Sequence, residues 1–353
     1  MPVSQPRFGV WSNVYGAWGS HFHPDDPSDA SWMRNLSLVQ QAEALGFSST
    51  LIAQHIMNPT GNERDQLETW TSAAAFAAST RMIEIIAAVK PYLFHPVVLA
   101  KMALQIEEIS GGRAALNLVN AWYKPEFERA GIRFAHHDER YAYGREWITV
   151  VRRLFSGDRV TFRGRYFQVE DYILSPPSRF RSRPAIYLGG ESEAARALAA
   201  EHADAFFING QPLHDVREII HDLARRPRLD APLRFGLAGF VIARKTEAEA
   251  REALDYALSL AEKDAPGHKS VLDGADADAV MFKTFAKHAN VVGTNGGTSA
   301  GLVGSYAQVA DRISGFNDIG IELFMLQFQP FESEMRRFAE EIIPRVAHAR
   351  SFS

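Results

Sequence analysis

Short, almost wholly apolar runs alternate with longer amphipathic segments from one end of the chain to the other. The runs at 8–11, 49–53, 83–88, 113–119, 185–188, 205–208, 235–243 and 323–327 predict strands. They show little in/out alternation, which is the pattern of strands covered on both faces. Helical periodicity predicts helices at 32–45, 68–79, 97–110, 138–155, 192–202, 216–225, 247–261, 306–319 and 333–347, the first capped by Asp29 or Ser31. Eight strand–helix units of this kind predict an α/β chain folded as a (β/α)8 TIM barrel, taken as one domain over residues 1–353. A doubly wound sheet is the alternative, but no G-x-G-x-x-G follows the first strand. Two stretches interrupt the alternation. Residues 160–169, period-two around Arg163-Gly164, read as an inserted β-hairpin within an insertion near 158–184. Residues 263–305, with GTNGGTSAG, read as a long lid-like loop hinged on Gly293, Gly296, Gly297 and Gly301.

Composition narrows the classes. Hydrophobic residues make up 46% of the 353 and charged residues 23%, which is ample for a sizeable core. The formal charge of −4 offers no general attraction to nucleic acid or anionic membrane. There is no cysteine, so disulfides, iron–sulfur clusters and thiolate nucleophiles are excluded. The N-terminus has no basic region followed by an apolar core, and no window approaches ~18 apolar residues, so a cytoplasmic location is expected.

A barrel of this kind carries its site at the C-terminal ends of the strands. Those ends offer Trp11-Ser12-Asn13, Gln54-His55, Lys90-Pro91, Asn120-Ala121-Trp122, Gly189-Gly190, Asn209-Gly210 and Gln327-Phe328-Gln329. Amides and aromatics abound there and carboxylates are scarce. The opposed carboxylate pair of a glycosidase is missing, and the rim suits a flat, polar-edged ring such as a flavin. Asn117 sits inside an apolar strand, and a buried amide must find a polar partner. Metal hydrolysis is the rival chemistry, through His21, His23 and His136-His137-Asp138. The His-x-His comes ten residues after the first strand, however, and no metal site is expected.

The run NLVNAWYKPEF followed by HDERY resembles the corresponding segment of flavin-dependent monooxygenases of the bacterial luciferase-like group. The nearest branch holds dimethyl sulfone, alkanesulfonate and pyrimidine monooxygenases. GG-x-S followed by A-A-R at 189–196 and FAEEIIP at 338–344 extend the likeness over residues 8–344. It implies reduced FMN and O2 as co-substrates, and a separate NAD(P)H-dependent flavin reductase. A homodimer or homotetramer is implied too. The flavin contacts implied are Gln54, His55, Asn117, Glu126, Arg140, Tyr141, Gly190, Ser192 and Asn209, with Arg140, Tyr141 and Ser192 on the phosphate. His55 is the implied polar group near the reacting edge. Trp11, Trp18, Trp122, Phe240, Gln327 and Gln329 are the expected substrate-pocket residues. Alkanesulfonate relatives hold their anionic head with arginines that align with Ala238 and Asn295, which points to a neutral substrate such as a sulfone. An alkanesulfonate, a flat heterocycle, or a flavin or deazaflavin oxidoreductase that never uses O2 are the alternatives.

Overall fold

A computed structural model describes residues 5–228, 230–276, 280 and 291–349. In chain order the elements are β1 (Arg7–Trp11), α1 (Trp32–Ala44), β2 (Ser49–Ile52), α2 (Thr69–Ser79), β3 (Glu84–Val89), α3 (Pro96–Ser110), β4 (Ala114–Leu118), α4 (Lys124–Arg129) and α5 (His137–Phe155). Next come β5 (Arg159–Arg163), β6 (Gln168–Ile173), β7 (Ala185–Gly189), α6 (Glu193–His202), β8 (Ala205–Ile208), α7 (Leu213–Ala224), β9 (Arg234–Phe240), β10 (Ile242–Arg244) and α8 (Glu247–Ala261). The last are α9 (Ala265–Gly274), β11 (Val303–Ser305), α10 (Tyr306–Asp318), β12 (Ile321–Gln327), α11 (Phe331–Glu341) and α12 (Ile343–Ala349).

Eight parallel strands close in the order β1-β12-β9-β8-β7-β4-β3-β2, the TIM-barrel topology expected from the alternation. Parallel pairing with helices outside buries both faces of each strand, which is why the strands lack period-two polarity. β2, β4 and β8 are buried along their whole length. Closure sets β1 between β12 and β2, with Phe8 opposite Phe324 and Val10 opposite Thr50. Helix α1 starts on Ser31, whose side chain accepts from Arg34 N, so Ser31 rather than Asp29 is the cap. Among the described residues no helix is long and apolar enough to cross a membrane.

The inserted hairpin is present as the antiparallel pair β5–β6. Its return chain is clamped to the barrel by Glu107, a wholly buried carboxylate on α3. Glu107 accepts from Arg181 Nε at 2.8 Å, Arg181 Nη2 at 2.9 Å, Ser178 Oγ at 3.0 Å and Ala114 N at 3.1 Å.

Two expectations are corrected. The apolar run 235–243 is not one strand. The last barrel pair is Gln327↔Phe240, and after Val241 the chain turns away so that Ile242 pairs with Val303. Ile242 and Ala243 stay buried after this turn, so the hydrophobic pattern runs through the break unmarked. The stretch 263–305 is not an unstructured loop. It holds α9, a single 3-10 turn at Gly297–Ala300 and β11, while 277–279 and 281–290 lie outside the described residues. Nor do Gly293, Gly296 and Gly297 stand in open space. A Cβ on Gly296, at φ +89°, would lie 2.2 Å from Gly210 O, so glycine is there for close backbone approach.

Glu107→Ala would strand Arg181 and the Ala114 amide together. A loss of roughly 2–4 kcal/mol is expected, read as a lower urea midpoint with unchanged slope. An unmoved midpoint would show that the clamp contributes nothing.

Candidate active site

A cavity of about 430 Å³ opens at the C-terminal ends of the barrel strands. That volume falls in the range of small-molecule and cofactor sites. Its walls are largely apolar and aromatic. Trp11 and Trp18 stand with ring centroids 5.3 Å apart, Tyr15 meets Trp18 edge-on at 5.0 Å, and His55 meets Trp122 edge-on at 5.5 Å. Trp18 is fixed by its Nε1 donating to Ser12 O at 3.1 Å.

Several buried polar atoms on residues that line this space have no hydrogen-bond partner in the protein. Both side-chain amide atoms of Gln54, the Asn117 oxygen and the Trp11 indole nitrogen are buried and make no hydrogen bond, and all three residues line the cavity. Asn117 was expected to find a polar partner opposite it. The protein supplies none to its Oδ1, which lies on the side of Gly189, 3.9 Å from where a Cβ there would sit. Such a group costs about 1–3 kcal/mol when left unsatisfied, so three together mark a place built for a ligand.

At the end of β2 and β3 lies a buried triad. His55 Nδ1 is 3.0 Å from Glu126 Oε2 and 3.0 Å from Lys90 Nζ, and Lys90 Nζ also donates to Glu126 Oε1. Glu126 further accepts from Ile56 N at 3.2 Å. Burial would raise the Glu126 carboxyl, but Lys90 and His55 hold it down at about 2. Burial lowers Lys90 against the attraction of Glu126. Burial and then Lys90 also lower His55, which favours a neutral imidazole beside the Glu126 carboxylate. Glu126, expected on the flavin, is instead 1% exposed and absent from the cavity wall; it stands behind His55 and Lys90. The reason is α4, a helical turn unseen in the sequence that carries Glu126 back towards the barrel.

A second polar group gathers where β7 ends. Ser192 caps α6, its Oγ accepting from Ala195 N at 3.2 Å and donating to Tyr141 O–H at 3.2 Å. Gly190, at φ +142°, has Ala195 Cβ only 2.8 Å from where its own Cβ would lie, so the chain passes tightly over the helix start. Burial raises the Tyr141 phenol, which stays protonated. Asn209 lines the cavity with its Nδ2 donating to Glu191 Oε1 at 2.8 Å. Arg140 also lines the cavity, but its guanidinium is engaged by Asp276, by Asn120 O at 3.1 Å and by Ala135 O at 2.5 Å.

Helix α9 supplies the outer wall through His268, Val271 and Leu272. It is docked at both ends. Before it, Asp264 accepts from Ser20 Oγ at 2.5 Å and His21 N at 3.2 Å. After it, Ala275 bridges to Tyr123, Asp276 N donates to Trp122 O at 2.8 Å, and the Asp276 carboxylate pairs with Arg140.

Of the expected substrate-pocket residues, Trp11, Trp18 and Trp122 line the cavity while Phe240, Gln327 and Gln329 do not. Phe240 turns into a small cluster with Ile242 and Val292, because the chain bends away from the barrel there. Gln327 is wholly buried and bonds Thr294 twice, at 3.0 and 2.9 Å. Gln329 bonds Ser20 N and O at 2.7 and 2.6 Å. Both glutamines therefore hold the loops that form the wall rather than the wall itself. Lys90 was not placed by sequence reasoning; a lysine closing the apolar run EIIAAV was the available signal, since it must be buried with a partner. Tyr15 and the α9 residues left no such signal.

The histidines considered for a metal are apart. His21 bonds Ser28 Oγ at 2.9 Å and Thr60 Oγ1 at 3.2 Å, while His23 stacks edge-on with Tyr256. Burial and Arg64 lower the His21 imidazole to about 4. Among the described residues no group of three or more His, Cys, Asp or Glu could hold a metal ion.

Asp264→Ala should free the near end of α9. Tryptic cleavage after Lys263 or Lys269 is expected to quicken about tenfold or more, for the ~1–3 kcal/mol that its two hydrogen bonds contribute. Cleavage at the wild-type rate would show that α9 is held elsewhere.

Comparison with known proteins agrees with this geometry. A family model described as luciferase-like monooxygenase matches residues 15–323. An FMNH2-dependent dimethylsulfone monooxygenase of Pseudomonas putida is 32% identical over 317 residues, covering 88% of this chain and 87% of that protein. One of the same description from Pseudomonas fluorescens (strain Pf0-1) is 32% identical over 331 residues, covering 88% and 86%. Among solved structures, DmoA from Hyphomicrobium sulfonivorans aligns over 98% of this chain and 89% of its own, with TM-score 0.80 and 18% identity. A long-chain alkane monooxygenase aligns over 98% and 92%, with TM-score 0.80 and 19% identity, and both likenesses speak to the fold. On the length of these matches, the chain belongs to the luciferase-like monooxygenase family.

Proposed function

We propose that this FMNH2-dependent monooxygenase oxygenates a small, neutral organosulfur compound, with a sulfone as the best choice. The observation that carries the flavin reading is the set of unpartnered buried atoms on Trp11, Gln54 and Asn117 around an otherwise apolar cavity. They suit the polar edge of an isoalloxazine ring lying between aromatic walls. The helix start at Ser192, with Tyr141 and Gly190 beside it, suits the FMN phosphate. Reduced FMN, when bound, supplies the electrons that activate O2 for transfer of one oxygen atom to the substrate. The protein's part is to orient the ring with its amides, to keep water out with Trp11, Trp18 and Trp122, and to present His55 at the wall.

Charge supports the neutral substrate. Lys90 and Arg140 are the lysine and arginine among the described lining residues, and each already has its carboxylate, Glu126 and Asp276. Ala238 and Asn295, which align with arginines of alkanesulfonate relatives, line the cavity as uncharged residues. A desolvated sulfonate would find no free cation among these groups and would cost several kcal/mol to bury. Phe240, expected in the substrate pocket, carries no weight because it lies outside the wall. The reading includes delivery of FMNH2 by a separate NAD(P)H-dependent reductase, a cytoplasmic location, and self-association as a dimer or tetramer.

Two measurements test it. Asn117→Ala removes a carboxamide whose Oδ1 bonds nothing in the protein, so it should weaken FMN about tenfold or more while leaving the unfolding free energy of the flavin-free protein within about 1 kcal/mol. Unaltered FMN affinity would remove Asn117 from the flavin site. In a competition with reductase, FMN, O2 and equal dimethyl sulfone, pyrimidine and alkanesulfonate, the sulfone should be consumed first, with matching O2 uptake. Preferential use of the sulfonate would overturn the neutral-substrate reading, and turnover without O2 uptake would overturn the monooxygenase reading.

A further inference from the structure

His55 Nδ1 has two neighbours that require opposite things of it. Glu126 Oε2, at 3.0 Å, can only accept, so it needs a proton on Nδ1. Lys90 Nζ, also at 3.0 Å, can only donate while charged, so it needs Nδ1 bare. Each neutral tautomer satisfies one neighbour, and the other neighbour keeps its partner through the Lys90–Glu126 contact. The protonated ring satisfies Glu126 alone and sets a positive charge against the ammonium. The other titratable groups packed on the ring are phenols, Tyr15 at 5.5 Å and Tyr123 at 6.3 Å between centroids. Burial keeps Tyr15 protonated, far above its usual range. Lys90, Glu126 and His55 are 2%, 1% and 4% exposed, so solvent does little to blunt this competition. His55 lines the cavity, and with Nδ1 turned to the triad its other nitrogen, Nε2, is the one left for a ligand.

We propose that Lys90 is a positioning residue: by competing with Glu126 for Nδ1, it keeps His55 neutral and both tautomers open, so that Nε2 can offer the cavity either a hydrogen-bond acceptor or a donor. The triad holds the same number of protons in both arrangements, so no charge builds up in a closed apolar site when the ring changes role. Glu126 alone would instead favour the imidazolium, and Lys90 alone would fix the proton on Nε2. The inference rests on the proposed function only for what occupies the cavity.

The test is nitrogen-15 NMR of the histidine rings in the flavin-free protein, with the His55 signals identified by their loss in His55→Gln. In the wild type, His55 should be neutral at pH 6 and show nitrogen shifts averaged between the two tautomers. One fixed tautomer, or a charged ring, would overturn the proposal without need of a further variant. Lys90→Met leaves Glu126 to act alone, and the midpoint of the His55 titration should rise by about one unit or more. An unmoved midpoint in folded protein would overturn it. Glu126→Gln should move the ring the other way, to a neutral form with the proton on Nε2; persistence of averaged shifts there would also overturn it. A structural role for Lys90 would change stability and leave these shifts in place. None of the readings needs flavin or turnover, so failure of the monooxygenase or sulfone reading would be seen separately.

Discussion

The buried carboxylate of Glu126 is the interaction on which the site's geometry depends. It ties together the chain after β2, the end of β3 and the helix after β4, through His55, Ile56 N and Lys90. Burying an ion costs several kcal/mol, and this one is offset only because the ammonium, the imidazole and a backbone amide all point at it. That arrangement leaves no slack. Because Glu126 is consumed in holding two side chains, the cavity shows a neutral imidazole at its wall rather than a carboxylate. The same economy of charge appears where Arg140 pairs with Asp276. The result is a site in which Lys90 and Arg140 are each paired with a carboxylate, while Gln54 and Asn117 keep buried amide atoms without a partner in the protein.

The barrel was legible because its strands are apolar on both faces and its helices are periodic, so the order of elements follows from pattern alone. Residues at strand ends were equally readable: Trp11, Gln54, His55 and Asn117 stand where a barrel puts its mouth. Illegible features share one cause, namely that a side chain's environment is decided by distant chain. Glu126 looks like a rim residue until α4 turns it inward. Gln327 and Gln329 look like ligands until the loops at Thr294 and Ser20 claim them. Phe240 continues an apolar run that the backbone has already left. Burial without pairing, the best mark of the ligand space, has no signature in sequence at all.

The break after β9 has a further consequence. β10 and β11 pair in parallel, Ile242↔Val303 to Arg244↔Ser305, so the chain that leaves the barrel at Arg244 is back at the same point by Val303. The ends of this excursion are joined by their own ladder, and the entropy of closing it depends only weakly on its length. Its length can therefore vary at small entropic cost, provided that the anchors of Thr294 to Gln327 and of Asn295 to Gly210 are kept. Yet it carries α9 and Val291–Asn295, and so a large share of the cavity wall. The wall is in this sense modular: one half is fixed by the barrel strands, and the other rides on an excursion whose length the strands do not dictate.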